Sequence, residues 1–384
     1  KRFFDRLTPV KGSRYAVSSD SLKYYPRFVL ELLQGPFGQT AYDHAMRFRY
    51  ISSPAAYNYT YSSHIDELIL PPPEGTKDVR LWMGCFGIPR DDKRHRGGED
   101  AWFSTGGLNA MGVADGVSEW MDLAGVNPRD FAEDLLKGAV EELCRLKAKG
   151  ILEEASSSPA EFAEKAMSIA FNNAKHFGSV ANLGDSGGLI LRRSNTCGEL
   201  SILYRVEEMQ HGFNIPYQFI HLPSPDEWEQ LQNQGMTRIV KFAQNEWRRL
   251  SSVKRHIGDT PEDIRSSNVS VCEGDLIILG SDGLFDNLFD YEIASLTALA
   301  ISPREAKLLC HDIGWATPPK DIARSLALAS YWKSLNPQAN TPFAKYSKKF
   351  YQHRGLIDLF GGKEDDISVA VAWVALGEDT LADI

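Results

Sequence analysis

The sequence predicts an α+β fold in which short strands form antiparallel groups and long, capped helices lie between them. Three observations carry this reading. Apolar strand patterns recur at 110–114, 275–280 and 367–376, helix start signals stand at Asn127 and Ser158, and the strict strand–helix alternation of a parallel nucleotide-binding sheet is missing. A chain of 384 residues with 43% hydrophobic side chains is large enough to bury a full core, and 24% charged residues is ordinary for a globular protein.

The net charge of −9 argues against a general nucleic-acid binder, which needs a basic surface to displace counterions. A solvated acidic surface accounts for most of that excess, and metal ligands can account for part of it. The 5 cysteines are scattered and none has the spacing of a zinc or redox pair, so a reduced, intracellular protein is expected. No apolar run approaches the roughly 18 residues of a membrane span. The chain begins at Lys1, and Lys1 to Gly12 lacks the apolar core of a signal peptide; this start reads as a processed end.

In chain order, residues 1–78 are rich in Tyr, Ser and Pro and read as an irregular N-terminal extension closed by Pro71-Pro72-Pro73. A strand follows from Arg80 to Ile88, then a charged loop from Arg90 to Asp100, with Trp102 and Phe103 just beyond it. The strand Ala110–Ala114 ends at Asp115-Gly116. Asn127 caps a helix with Pro128 in its first turn and an apolar stripe of Phe131, Leu135, Leu136, Ala139, Val140 and Leu143. Ser158 and Glu161 form a capping box for a second helix to about Ala170. Strand patterns return at Val180–Leu183, Leu189–Arg192 and Leu200–Arg205. The segment 224–266 is polar and helix-rich, with Arg238, Lys241, Arg248, Arg249, Lys254 and Arg255. The apolar strand Asp275–Gly280 comes next, then helical patterns over 290–300, 303–312 and 319–334, and finally the strand Ile367–Leu376. The main domain is drawn at 79–378, with 379–384 as a tail.

The aspartates fall at the ends of these strands. Asp115 follows one, Asp282 follows another, and Asp365 and Asp366 precede a third; Glu99-Asp100 follows a Gly-Gly turn. A single Asp-Gly after a strand is usually a turn. Several carboxylates gathered at strand ends are different, because like charges oppose one another's ionisation unless a cation offsets them. Hard oxygen ligands without His or Cys point to Mg²⁺ or Mn²⁺. Other chemistries are excluded by pattern. Arg90 stands one position too close to Cys85 for the loop of a cysteine-nucleophile phosphatase. The Gly-Asp-x-His-Gly and Gly-Asn-His-Glu signatures and the phosphate-binding Gly-x-x-x-x-Gly-Lys-Ser/Thr loop are absent.

These residues occur in an order that resembles the type 2C, metal-dependent protein phosphatases: Glu99-Asp100-Ala101, Ala114-Asp115-Gly116-Val117, Asn182-Leu183-Gly184-Asp185-Ser186, Ser281-Asp282-Gly283-Leu284-Phe285-Asp286 and Lys363-Glu364-Asp365-Asp366-Ile367-Ser368-Val369. Further stretches are similar to the branch that includes mitochondrial-type phosphatases with an Asp-Gly-Val-Gly-Gly-Trp motif. They are Asp115-Gly116-Val117-Ser118-Glu119-Trp120, Glu208-Met209-Gln210-His211, Phe213-Asn214-Ile215-Pro216 and Thr341-Pro342-Phe343-Ala344.

The resemblance implies a four-layer α-β-β-α sandwich, two antiparallel sheets flanked by helix pairs with a metal cleft at one end. It implies phosphoserine and phosphothreonine hydrolysis by a water bridging two Mg²⁺ or Mn²⁺ ions, without a phosphoenzyme. Asp115 would bridge the metals, Asp282 and Asp365 complete the first site, and Glu99 and the Gly116 carbonyl serve the second. Asp100 and Asp286 would act through water, and Asp185 with Asp282 could hold a weaker third ion. The implied partners are phosphoprotein substrates of a monomeric enzyme, cytoplasmic or mitochondrial. A non-catalytic phosphoprotein-binding member of the same fold and a small-molecule phosphomonoesterase are the competing readings; the retained carboxylates weigh against the first.

The chain departs from the family pattern in four places. Val117 stands where many members carry His, so the leaving group needs another proton source. His95 is a tempting candidate, though a surface role suits it better. His95 also occupies the position of the family's phosphate-binding Arg, so Arg94 or Arg96 beside it would take that role. Ser118-Glu119 replaces Gly-Gly. Gly178-Ser179 runs directly into Val180 where a hairpin is expected, which implies either a lost strand or missing residues, the latter being favoured. The segment 224–266 falls where the family carries a variable flap.

Overall fold

The computed structural model describes residues 79–149, 177–193, 200–220, 222–253, 258–301, 317–352 and 361–376. The expected extension 1–78, the helices at 158–170 and 303–312, Lys254, Arg255 and the tail lie outside the described residues. The chain divides into two units, 1–53 and 54–384, and all described residues belong to the second.

In order the elements are β1 (Val79–Ile88), β2 (Ala101–Thr105), β3 (Ala110–Ala114), α1 (Glu119–Ala124), α2 (Pro128–Ala148), β4 (Phe177–Asn182), β5 (Gly187–Arg193), β6 (Leu200–Arg205), β7 (Gln210–Gly212) and β8 (Ile215–Pro216). They continue as α3 (Trp228–Asn233), α4 (Thr237–Val253), β9 (Arg265–Ser270), β10 (Leu276–Gly280), α5 (Asp282–Phe285), α6 (Asp290–Ala300), α7 (Pro319–Ser334), α8 (Pro342–Gln352) and β11 (Ile367–Leu376). No helix among the described residues is long and apolar enough to cross a membrane.

An antiparallel sheet of order β1-β11-β10-β5-β6 forms the centre. β11 is apolar on both faces because both are covered. Successive side chains of a strand point to opposite faces. Val369, Val371 and Trp373, with Leu276, Ile278, Leu189 and Leu191, lie under Ile322, Ala323, Leu326 and Ala327 of α7 and Ile293 of α6. Ala370, Ala372 and Val374, with Ile277, Leu279 and Ile190, meet Met111 of β3 and Val269 of β9. Each large side chain so buried contributes about 1.5–3 kcal/mol. Behind β2 and β3 lies α2, whose Ala132, Leu136, Ala139, Val140 and Leu143 pack on Phe103, Ala110 and Ala114.

Two expectations change. Phe131, placed in the apolar stripe of α2, is exposed and lines a cleft instead. The second antiparallel layer is not one sheet but the separate ladders β2–β3 and β4–β9. β4 runs through Ser179 and Val180 with unbroken pairing to Asn268 and Ser267, so no hairpin interrupts the chain there.

Register brings the strand ends together. Gly280 pairs with Val369 and with Gly187, so Asp282, Asp365 and Asp185 leave the central sheet at the same end. Ala101 pairs with Ala114, which sets Glu99-Asp100 beside Asp115.

Candidate metal centre

Asp115 sits in the turn between β3 and α1, where Gly116 presses on the Glu99 loop. A Cβ on Gly116 would lie 2.5 Å from the Glu99 carbonyl oxygen. Asp282 opens α5 after the extended Ser281, and Gly283 lets that turn sit against the Asp366 carbonyl, which a Cβ would meet at 2.0 Å. Asp365 and Asp366 precede β11, and Asp185 lies in the β4–β5 turn.

A cleft of about 650 Å³ opens at this end. Asp115, Asp185, Asp282 and Asp365 line it together with Gly116, Arg90 and Lys363. Its other wall is apolar, with Trp120, Leu123, Phe131, Ile215 and Ile239. The 224–266 segment reaches this wall through Ile239 and through the edge-on contact of Phe242 with Trp120 at 5.3 Å.

The electrostatics are those of crowded carboxylates. Asp115 opens to solvent at the cleft mouth, yet protein closes around its other sides. Desolvation, then the charges of Asp100, Asp282, Asp365 and Asp185, hold its carboxyl well above the ordinary range. Burial and Asp282 push Asp185 up to about 7, and the same two causes raise Asp365. Asp100 is buried, with the Ser281 and Ser368 hydroxyls beside its carboxylate; desolvation and Asp366 raise it strongly. Asp282 Oδ1 is likewise buried and without a partner.

Two lysines stand among these groups. Lys363 Nζ pairs with Asp282 Oδ2, lies 2.7 Å from Asp286 Oδ2 and 3.5 Å from Asp365 Oδ2. Burial pulls its ammonium down, but Asp282, Asp286 and Asp365 outweigh that and raise it. Lys93 Nζ pairs with Glu99 Oε2 and reaches Ser118 Oγ at 2.7 Å. Among the described residues no three His, Cys, Asp or Glu side chains close on one point, and these ammonium groups lie among the carboxylates.

The site thus gathers Asp115, Asp185, Asp282, Asp286, Asp365, Glu99, Asp100 and Gly116, and of the two expected arginines Arg96 reaches it through Glu99. Arg94 turns to Asp91 at the surface, and Arg96 binds Glu99 Oε1 at 2.7 Å; neither lines the cleft. His95 is exposed, with Nδ1 3.0 Å from the Asp92 carbonyl oxygen. Sequence reasoning assigned no site role to Lys93 or Lys363, and it singled out Asp366 and Ser118 without giving them one. The signal for Asp366 was its place beside Asp365. The signal for Lys363 was a basic residue next to an acidic motif at a strand start.

The donor set is all oxygen, as Mg²⁺ or Mn²⁺ requires, and Asp282 Oδ1 is an unused acceptor within it. The Asp115–Asp282–Asp365 side therefore fits a divalent ion.

No protein-family model matches the chain. The protein phosphatase PTC7 homolog fig of Drosophila mojavensis is 30% identical over 294 residues, covering 73% of this chain and 79% of that protein. The chain belongs to the type 2C protein phosphatase family. The PTC7 homolog of Xenopus laevis is 30% identical over 320 residues, covering 78% of the chain and 91% of that protein. A probable type 2C phosphatase of Arabidopsis thaliana is 29% identical over 314 residues, and the chain spans 54% of its length. Among solved structures, the photosystem II phosphatase PBCP superposes with a TM-score of 0.53 at 26% identity, over 77% of this chain and 98% of that one. Type 2C phosphatases are metal-dependent, which agrees with the oxygen-only site.

Proposed function

We propose that this chain is a protein serine/threonine phosphatase whose centre holds Mg²⁺ or Mn²⁺ on Asp115, Asp282 and Asp365, with the Gly116 carbonyl and Asp185 at its rim. The carrying observation is the meeting of four aspartates from separate turns in one cleft, of which Asp115, Asp185 and Asp365 are raised by burial and by neighbouring carboxylates. Native proteins rarely maintain such mutual repulsion without a cation to offset it. A bound divalent ion would lower the pKa of a water and offset charge on phosphoryl oxygens. Asp286, which meets Lys363 Nζ at 2.7 Å, and the buried Asp100 would act through metal-bound water.

The chain's own groups supply the rest. Lys363 and Arg90 are the cleft-lining cations among the described residues and suit the phosphate dianion. The apolar wall suits the peptide flanking the phosphorylated residue and keeps water from the ester. Val117 has no proton to give, and His95 does not line the cleft. We place the catalytic domain at 79–378, as a four-layer α-β-β-α sandwich in which α7 and α2 form the outer layers, with 224–266 as the flap beside the cleft.

The test is release of inorganic phosphate from phosphoserine and phosphothreonine peptides with Mn²⁺, compared with sugar phosphates. Peptide turnover that chelator abolishes is expected. Turnover of sugar phosphates alone would contradict the protein substrate, and no turnover of either would contradict the enzyme.

A further inference from the structure

The two ends of the carboxylate centre are neutralised in different ways. At the Glu99 end each carboxylate oxygen of Glu99 and of Asp366 already has a donor. Glu99 Oε1 takes Arg96 Nη2 at 2.7 Å, and Oε2 takes both the Ser118 hydroxyl and the Lys93 ammonium. Asp366 Oδ1 accepts the Arg90 amide at 2.6 Å, and Oδ2 the Glu99 amide at 2.7 Å. Lys93 Nζ is also 3.5 Å from Asp366 Oδ2 and 3.6 Å from Asp365 Oδ1. Two full positive charges, Lys93 and Arg96, therefore lie on a carboxylate that is itself fully buried.

A divalent ion beside Glu99 would meet both charges at short range, where repulsion is strong. It would also have to displace Lys93, whose side chain is 3% exposed and has no open solvent beside it. Stranding a buried ammonium is strongly unfavourable. The Asp282 end differs in both respects. Lys363 is 17% exposed and lines the cleft, so its ammonium can move into solvent, and Asp282 Oδ1 has no donor at all.

We propose that Lys93 is a built-in cation of this centre, its ammonium taking the place beside Glu99 that a second divalent ion would otherwise fill. The chain then binds one ion tightly, at Asp115, Asp282 and Asp365, and Glu99 serves to hold Lys93 rather than a metal. This rests on the reading that the aspartate side is a metal site.

The experiment is a Mn²⁺ titration of the full chain, with free ion followed by electron paramagnetic resonance. Wild type is expected to bind about one tight ion, and Asp282→Asn to lose it. Glu99→Gln keeps the ion number, with a Kd within about twofold of wild type, since no ligand is removed. Lys93→Met gains a second ion, bound at least about tenfold tighter than any second ion in wild type, because a fixed positive charge has gone. Circular dichroism checks that Lys93→Met folds; if it does not, Glu99→Gln decides. Two tight ions in wild type, one of them lost in Glu99→Gln, would overturn the role of Lys93 alone. A wild-type chain that binds no Mn²⁺ would overturn the metal site itself, and this assignment with it.

Discussion

Replacing Gly116 with alanine tests whether Asp115 is positioned by the tight stacking of the β3–α1 turn on the Glu99 loop. An added Cβ would lie 2.5 Å from the Glu99 carbonyl oxygen, 2.9 Å from Pro128 Cβ and 3.0 Å from the Pro128 carbonyl carbon. None of these belongs to a flexible side chain that could swing aside. Ordinary contact begins near 3.4 Å, so the turn or the loop must shift by close to an ångström. Overpacking of this kind costs about 1–3 kcal/mol, and three contacts at or below 3.0 Å place Gly116→Ala in the upper half of that range. A displacement of about 1 Å at a reacting group lowers the rate about a hundredfold. Urea unfolding followed by circular dichroism reads the first effect, and phosphopeptide kcat at saturating Mn²⁺ reads the second. A Gly116→Ala protein with wild-type midpoint and kcat would refute the claim that this contact sets the geometry of Asp115.

Lys363→Met removes a cleft-lining cation, and KM for phosphopeptide is expected to rise about tenfold from loss of a charge-assisted contact, measured by steady-state kinetics. Arg192 grips the buried Asp275 through Nε at 2.8 Å and Nη2 at 2.7 Å, so Arg192→Met, which leaves that carboxylate the Cys272 amide but no countercharge, is expected to lower stability by about 3 kcal/mol in urea. The metal-free protein should lose stability as pH rises from about 4 towards 7. In that window folded Asp185, at about 7, keeps a proton that its unfolded form has already released. Thermal midpoints in chelator across this range, with a larger upward shift on adding Mn²⁺ at the alkaline end, check the sign.

Much of the fold was legible because the buried strands are unambiguous. β1, β10 and β11 are apolar runs with turn signals at their ends, and α2 and α7 begin with a proline in the first turn. β9 was missed because Arg265-Ser266-Ser267-Asn268-Val269-Ser270 is polar on most positions; its pairing with β4, not its own pattern, makes it a strand. α8 carried a signal that was read only as a family motif: Thr341 Oγ1 accepts the Ala344 amide at 3.0 Å, and Pro342 follows it. Phe131 was assigned to the core because helical periodicity does not distinguish a core face from a cleft wall. At the site, the aspartates were legible because they punctuate strands. The lysines were not, since only tertiary packing brings Lys93 to Asp366 and Lys363 to Asp282.

The most direct test of the central claim is the rate of phosphopeptide hydrolysis by Asp282→Asn at saturating Mn²⁺, beside wild type. Asp282 lines the cleft, and its buried Oδ1 is an acceptor that no protein group uses. The neutral amide keeps the shape and removes the charge, so kcat should fall at least about a hundredfold while the fold survives by circular dichroism. A folded Asp282→Asn protein that hydrolyses the peptide at the wild-type rate would contradict the account.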